Sequence, residues 1–380
     1  VLRTARIVCL LSSLLFLAGC WDYREVHQIA YVTTIGVDYK DKQFTLYAQS
    51  LNFANIAQRE SLRPPEHKAV VGHVAGATLT QAMFNLYQSE LQWIYWGHIS
   101  AIIFSREALE QLRIEQLVDS VNRFRELRYN VWVFGTDEPI ERLLLIAPFF
   151  GYSPFDSRLM KPNIPFRQFS DIKPVYLNRF VSDYFERGKF VLLPKLAIDS
   201  SSWTEGDKNK PELKLNGVYV IAPRQYSGSL TEDQIAGKRY VDPKSVRMPL
   251  LVSRNESPAA LLVVNSPGVR IRHEISGGKV IFDVRIRLTG SIDELLQDVK
   301  PEFLREEAEK TIEQKVRYAF EQGKKLNADV LNLTTPLYRY HYSTWKRMVT
   351  DKPDMRKIEL RNVEVVLTIK NSGKYKARLQ

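Results

Sequence analysis

The sequence predicts an α+β fold: two to three mixed α/β domains, with largely antiparallel sheets and packed helices, behind an N-terminal leader. Three observations carry this. Val280, Phe282, Val284, Ile286 and Leu288 alternate with Asp283, Arg285 and Arg287, the period-two pattern of a half-buried strand. Residues 301–326 show an apolar stripe at helical spacing. Elsewhere, strand-like runs are interrupted by isolated helices, which is the α+β arrangement. A chain of 380 residues has room for more than one core.

The leader comes first in the chain. Arg3 and Arg6 precede an apolar run from Ile7 to Ala18. A short basic region, then an apolar stretch of this length, then small residues, make a secretory signal. The run is too short to span a bilayer as a helix, which takes about 20 residues. "LAGC" (Leu17 to Cys20) has the form of a bacterial lipobox. Residues 1–19 are therefore expected to be a lipoprotein signal peptide, with Cys20 receiving a diacylglyceryl group and becoming the first mature residue. Cys9 and Cys20 are the only two cysteines. With one removed and the other acylated, the mature chain would have no free thiol. That argues against disulfides, thiolate metal sites and a cysteine nucleophile. Two acyl chains anchor durably, where one holds only marginally.

Ile29 to Val37 is rich in β-branched residues, and Phe44, Leu46 and Ala48 alternate with polar or amphipathic neighbours. These predict two strands joined by the polar "DYKDK". Residues 54–69 read as a loop. Residues 76–91 read as a helix, with Thr78 and Gln81 as a capping box and Leu79, Ala82, Met83 and Leu86 inward. A strand is expected over 99–104, then a helix from Ser105 and a second over 114–127. Another strand is expected over 129–135, with Thr136 capping the short helix that follows. Residues 147–174 hold five prolines and read as a long surface loop. A helix over 175–186 and a strand over 189–198 follow.

The domain division is expected after residue 198. Residues 20–198 form an N-terminal α/β domain, 199–211 have a linker's composition, and 212–380 form a C-terminal α+β domain with a candidate subdivision near 265. In that second half, Gly277-Gly278 reads as a two-residue turn. Counting back from it, Ile275 faces Val280, Ile271 faces Val284 and Val269 faces Ile286. Arg272 faces Asp283 and Arg270 faces Arg285. The long helix starts at Pro301 and buries Leu304, Ala308, Ile312, Val316, Ala319 and Phe320. Its acidic N-terminal half and basic C-terminal half suit the macrodipole, and Glu306–Lys310 and Glu321–Lys325 have i,i+4 spacing. A short helix over 343–349 and a last strand with Val363, Val365, Leu367 and Ile369 complete the chain.

The search for chemistry finds no catalytic, cofactor-binding or metal-binding constellation. The six histidines (among them His98 and His273) show no paired ligand spacing. No Walker loop, GxGxxG or GxSxG is present, and Glu306, Glu307 and Glu309 belong to a helix N-terminal half. The net charge is +11, or two less without the leader. It suits an anionic bilayer surface. Nucleic acid is the other partner of such a charge, but it does not fit a secreted, anchored chain. Arg270, Arg272, Arg285 and Arg287 share one sheet face. That face is a candidate for membrane headgroups or an acidic partner, or else a solvated surface partly neutralised by Asp283. Around "LQWIYWGH" (Leu91 to His98), core packing and a partner patch are both open.

The order of segments resembles the Ger(x)C family of spore germination lipoproteins, the C subunits of spore germinant receptors. After the lipobox come Trp21, Asp22, Arg24 and Glu25, then Ile35, Gly36 and Asp38. "WGHIS" (Trp96 to Ser100), "RFRELR" (Arg123 to Arg128), "LNGVYVI" (Leu215 to Ile221) and "VEVVLTIKNSGK" (Val363 to Lys374) follow in order. Residues 331–348 depart from the family's pattern, which leaves partner choice open. The resemblance implies a non-enzymatic subunit without cofactor, lipid-anchored on the outer face of the spore inner membrane. It would assemble with membrane-embedded A and B subunits. The alternative is a substrate-binding lipoprotein of a transporter. That would show two lobes rich in βαβ units, and the sequence shows no parallel βαβ rhythm.

Overall fold

A computed structural model describes residue 25 and residues 28–51, 69–111, 114–123, 126–152, 154–222, 225–349 and 354–371. The expected leader, Cys20 and all but the last residue of the loop over 54–69 lie outside the described residues.

Strands β1 (Ile29–Lys40) and β2 (Gln43–Leu51) form the expected hairpin. Asp41 and Lys42 both take positive φ, 52° and 62°, the turn geometry that matches strand twist. β3 (Ala69–Gly76) pairs antiparallel with β2. Helix α1 (Leu79–Tyr87) buries the four predicted side chains. Thr78 Oγ1 accepts the Gln81 N–H at 3.1 Å, while the Gln81 side chain reaches the Ala77 N–H rather than that of Thr78.

β4 (Trp93–Tyr95), β5 (Ala101–Ser105), α2 (Arg106–Gln111), α3 (Ile114–Arg123) and β6 (Trp132–Thr136) follow. Thr136 does not cap the next helix, α4 (Ile140–Leu145), whose N-cap is Pro139. Its hydroxyl instead accepts the Glu138 N–H and donates to the Leu196 carbonyl at 3.1 Å, tying neighbouring strands together. The stretch read as a loop over 147–174 contains two short 3₁₀ turns and α5 (Asn163–Gln168). Pro162 and Pro165 fall at the start of α5, where a missing N–H costs little. β7 (Val175–Tyr176), α6 (Leu177–Phe185), β8 (Val191–Asp199), β9 (Thr204–Glu205), β10 (Lys208–Asn209), β11 (Glu212–Ala222) and β12 (Gln225–Thr231) complete this part.

These strands, apart from the β9–β10 ribbon, form a ten-stranded sheet in the order β12-β11-β8-β6-β5-β1-β2-β3, with β4 beside β1 and β7 beside β6. Its flanks are antiparallel, but β1/β5, β5/β6 and β6/β8 are parallel. The sequence reading found no parallel rhythm, and the structure corrects it. β5 and β6 are only five residues each and buried at every position, so they carry no alternation. The linker expected over 199–211 is also corrected. β8 and β11 pair with each other from Asp199↔Glu212 to Val191↔Ile221, so this stretch is a hairpin end. Serine, aspartate, glycine and lysine suit a solvated turn as well as a linker.

The chain leaves this sheet through α7 (Glu232–Ile235) and a 3₁₀ turn, Ala236–Val241. A second sheet has the order β13 (Met248–Arg254), β14 (Ser257–Ser276), β15 (Lys279–Leu295), β16 (Ile358–Asn371). The β14/β15 register is the one counted from Gly277-Gly278, whose φ values are 57° and 72°. α8 (Pro301–Lys325) covers the inner face with the six predicted side chains, and also buries Gln322 and Gly323. Lys310 reaches Glu307 at 3.7 Å and Lys325 donates to Gln322, rather than either pairing with the glutamate four residues before it. α9 (Thr334–Tyr340), which the sequence reading missed, and α10 (Tyr342–Met348) link α8 to β16, which pairs parallel with β15.

Ile312 is fully buried between α8 and the sheet. Ile312→Ala should lower unfolding stability by about 2–5 kcal/mol. Exposed Glu321→Ala should change it by no more than about 0.5 kcal/mol. Urea denaturation of both variants checks this.

Candidate interaction surfaces

The β14/β15 hairpin sends Val280, Phe282, Val284 and Ile286 to the core and the residues between them to solvent. The same alternation brings Arg270 and Arg272 of β14 beside Arg285 and Arg287 of β15 on the open face. All four are exposed. Arg270 stands directly opposite Arg285, an unfavourable like-charge pair. Glu364 of β16 relieves it, with its carboxylate 3.2 Å from the Arg285 guanidinium.

Arg272 is opposite Asp283, as counted, but a different arginine holds that carboxylate. Arg361 donates to both oxygens of Asp283, from Nε at 3.0 Å and Nη2 at 2.5 Å. It also donates to Glu274 at 2.7 Å. The hydrogen bonds from Arg361 hold the Asp283 carboxyl well below the usual carboxylate range, and Arg272 adds a smaller attraction. Sequence reasoning missed Arg361 because its approach depends on the pairing of β16, almost eighty residues away. A register shift between Phe282 and Asp283 opposite β16 brings it there.

Together Arg270, Arg272, Arg285 and Arg361 line an open depression of about 370 Å³, floored by Val284. Arg287 lies outside it. Among the described residues, Arg270, Arg272 and Arg287 form no ion pair within 4.0 Å. Glu364 on Arg285, rather than Asp283 on Arg272, partly neutralises the face, which keeps a cationic remainder.

The second candidate region divides. Trp96 is buried, and its indole N–H donates to the Tyr87 hydroxyl at 2.8 Å. Trp93 is 55% exposed, and Leu91 is fully exposed. His98 is exposed, its ring edge-on to Tyr31 and Tyr95 at 5.2 and 5.6 Å. The segments "WGHIS" and "RFRELR" meet here, because the Glu126 carboxylate accepts the Trp96 backbone N–H at 3.0 Å. His98, Ser100, Arg128 and Asn130 line a polar depression of about 200 Å³, walled by Trp132 and Tyr176, whose rings stack at 3.6 Å. His273 lies 4.8 Å from the His341 ring, and burial lowers its pKa, with His341 adding to the effect. Among the described residues, no group of three or more His, Cys, Asp or Glu side chains is placed to hold a metal ion. Cys20 lies outside the described residues.

Comparison with known proteins places this arrangement. Residues 22–198 match the family model "Spore germination protein N-terminal domain", and residues 216–373 match "Spore germination B3/GerAC like, C-terminal". Spore germination protein KC of Bacillus subtilis (strain 168) is 20% identical, over 90% of this chain and 88% of that protein. Spore germination protein B3 of the same organism is 20% identical, over 74% and 72%. The crystal structure of the GerBC protein has a similar fold, with a TM-score of 0.55 at 14% identity, over 88% of this chain and 96% of that one.

Removing Arg361 tests the carboxylate cluster. With its pKa depressed, Asp283 stays charged to lower pH than an ordinary carboxylate and loses its pairing as pH falls through the folded value. In Arg361→Gln, the carboxyl carbon of Asp283 should titrate at higher pH by NMR. An unchanged midpoint would mean that Arg361 does not set it.

Proposed function

The chain belongs to the spore germination B3/GerAC-like family, and from that premise we propose that it is a non-enzymatic, lipid-anchored subunit of a nutrient germinant receptor. The observation that carries this is the pair of consecutive family models, which together span most of the chain. Their boundaries are compatible with an N-terminal unit over 20–198 and a C-terminal unit from 212. β11 and β12 nevertheless pair into the first sheet.

In this reading, residues 1–19 are a signal peptide and Cys20 is the lipid attachment point. Two acyl chains hold the protein on the outer face of the spore inner membrane. Among the described residues no helix is long and apolar enough to cross a membrane. The subunit acts by assembling with membrane-embedded A and B subunits and supporting their signalling. Arg270, Arg272 and Arg287 suit an acidic patch on such a partner. Mixed charge on their face favours recognition over tight nonspecific adhesion. The transporter-lipoprotein alternative has no comparable support, since the family models describe spore germination proteins.

Cys20→Ala tests the anchor. The expected outcome is loss of the protein from the spore membrane fraction and slower nutrient germination, with the thermal unfolding of the folded part unchanged. Normal nutrient germination with the protein in the soluble fraction would refute a requirement for the anchor.

A further inference from the structure

We propose that the edge of the ten-stranded sheet where β1 begins is a membrane-contact surface. Leu91 and Trp93 enter the interface of an anionic phospholipid bilayer, and Arg128 meets its phosphates. This rests on the lipid-anchor reading of Cys20, which sets where the bilayer lies.

The topology assembles the surface. β1, β5 and β6 are mutually parallel along the sheet, so their N-terminal ends share one edge. β4 joins that edge, with Trp93 paired to Ile29, the first residue of β1. The turns before β4, β5 and β6 bring Leu91, His98 and Arg128 to the same end.

The chemistry there is that of a bilayer interface. Single exposed apolar residues are common and need no explanation. Here a fully exposed leucine stands two residues from a half-exposed tryptophan. Phe84, 58% exposed, lies edge-on to Tyr87 at 5.7 Å in the last turn of α1, which leads into this segment. Tryptophan and tyrosine favour the headgroup level, where an apolar ring and a polar tip are both satisfied. Arg128 is exposed and has no ion pair within 4.0 Å among the described residues. Asn130 beside it adds a neutral donor for phosphate oxygens. Two nearby carboxylates accept backbone N–H groups. Glu126 accepts the Trp96 N–H, and Glu90 accepts the Gln92 N–H at 3.0 Å.

The tether selects this edge. Gln28 donates to the Glu25 carbonyl at 2.9 Å, and its side chain accepts the Glu25 N–H, so Glu25 is held beside Gln28 directly before β1. Cys20 lies five residues earlier, a reach of at most about 18 Å in extended chain. A further exposed aromatic cluster joins Phe149 and Phe150 to Trp203, in the hairpin end that β8 enters from its C-terminal side. It extends from the opposite edge of the sheet.

The test uses the mature chain, residues 20–380, carrying Cys20→Ser so that no acyl chain contributes. It should co-sediment with vesicles of equal parts phosphatidylcholine and phosphatidylglycerol, and far less with phosphatidylcholine alone. Leu91→Ser with Trp93→Ser should weaken binding at least tenfold. Arg128→Gln should remove most of the preference for phosphatidylglycerol. Circular dichroism melting checks that both variants stay folded. Absence of binding by the parent, or equal binding by the variants, overturns the proposal. If the double variant binds vesicles normally but no longer co-purifies with membrane proteins of the spore, the edge docks protein and the proposal falls. The anchor itself is judged separately, by the mass of the acylated N-terminal peptide from spores. An acylated chain whose unacylated form ignores vesicles refutes only the contact surface.

Discussion

The close approach of one connector to one helix backbone joins the two halves of the molecule. At Gly237, a Cβ would stand 2.1 Å from the Lys315 carbonyl oxygen and 2.6 Å from the Val316 Cα of α8. Only glycine fits that contact. With it in place, the turn over 236–241 packs on α8, and Ile235, Tyr240 and Val241 join the helix's apolar stripe. The same cluster runs on to Phe134 and Leu196 in the first sheet and to Phe282 and Val363 in the second. The sheets therefore share a continuous core. The contact also turns the half-buried Lys238 inward, where its ammonium donates to the Leu331 carbonyl at 2.9 Å. Burial lowers the Lys238 pKa and raises that of Asp329 nearby.

What the sequence disclosed follows from where its signals are local. The register of β14 and β15 is set by a two-glycine turn, and the α8 stripe by spacing within one helix. Both could be counted. The parallel centre could not, because β5 and β6 are buried on both faces and look like short apolar runs of any origin. Residues 199–211 misled for a related reason: polar turn chemistry does not say whether the flanking segments pair. α9 begins with two threonines and a proline, and its start is fixed from outside the helix. Asp329 accepts both the N–H and the hydroxyl of Thr334, and Thr335 donates to the Gly188 carbonyl at 2.9 Å.

The same distinction governs the candidate surfaces. Four arginines on one sheet face could be read from period two alone, together with the Asp283 partner. Arg361 could not, since its place depends on a parallel strand reached only after α8, α9 and α10. It changes the character of the face, because Arg361 takes the carboxylate that the hairpin alone would give to Arg272. Trp93 and Trp96 were equally ambiguous in sequence. Three residues apart on opposite sides of a short strand and its turn, one meets Tyr87 inside and the other meets solvent.

The unanticipated parallel centre is what gives the first sheet two different ends. In a purely antiparallel sheet, successive strands would begin at alternate edges, and the segments around Trp96 and Arg128 would be separated by the strand length. Parallel pairing of β1, β5 and β6 gathers their starting turns at one edge, so that Glu126 can hold the Trp96 backbone and Arg128 can share a depression with His98. The chain's own N-terminal approach arrives at that edge because β1 is one of those strands. The hairpin end near Trp203 projects from the other. A single choice of strand direction thus orients the molecule relative to its N-terminus and leaves the far edge and the cationic face of the second sheet available to other surfaces.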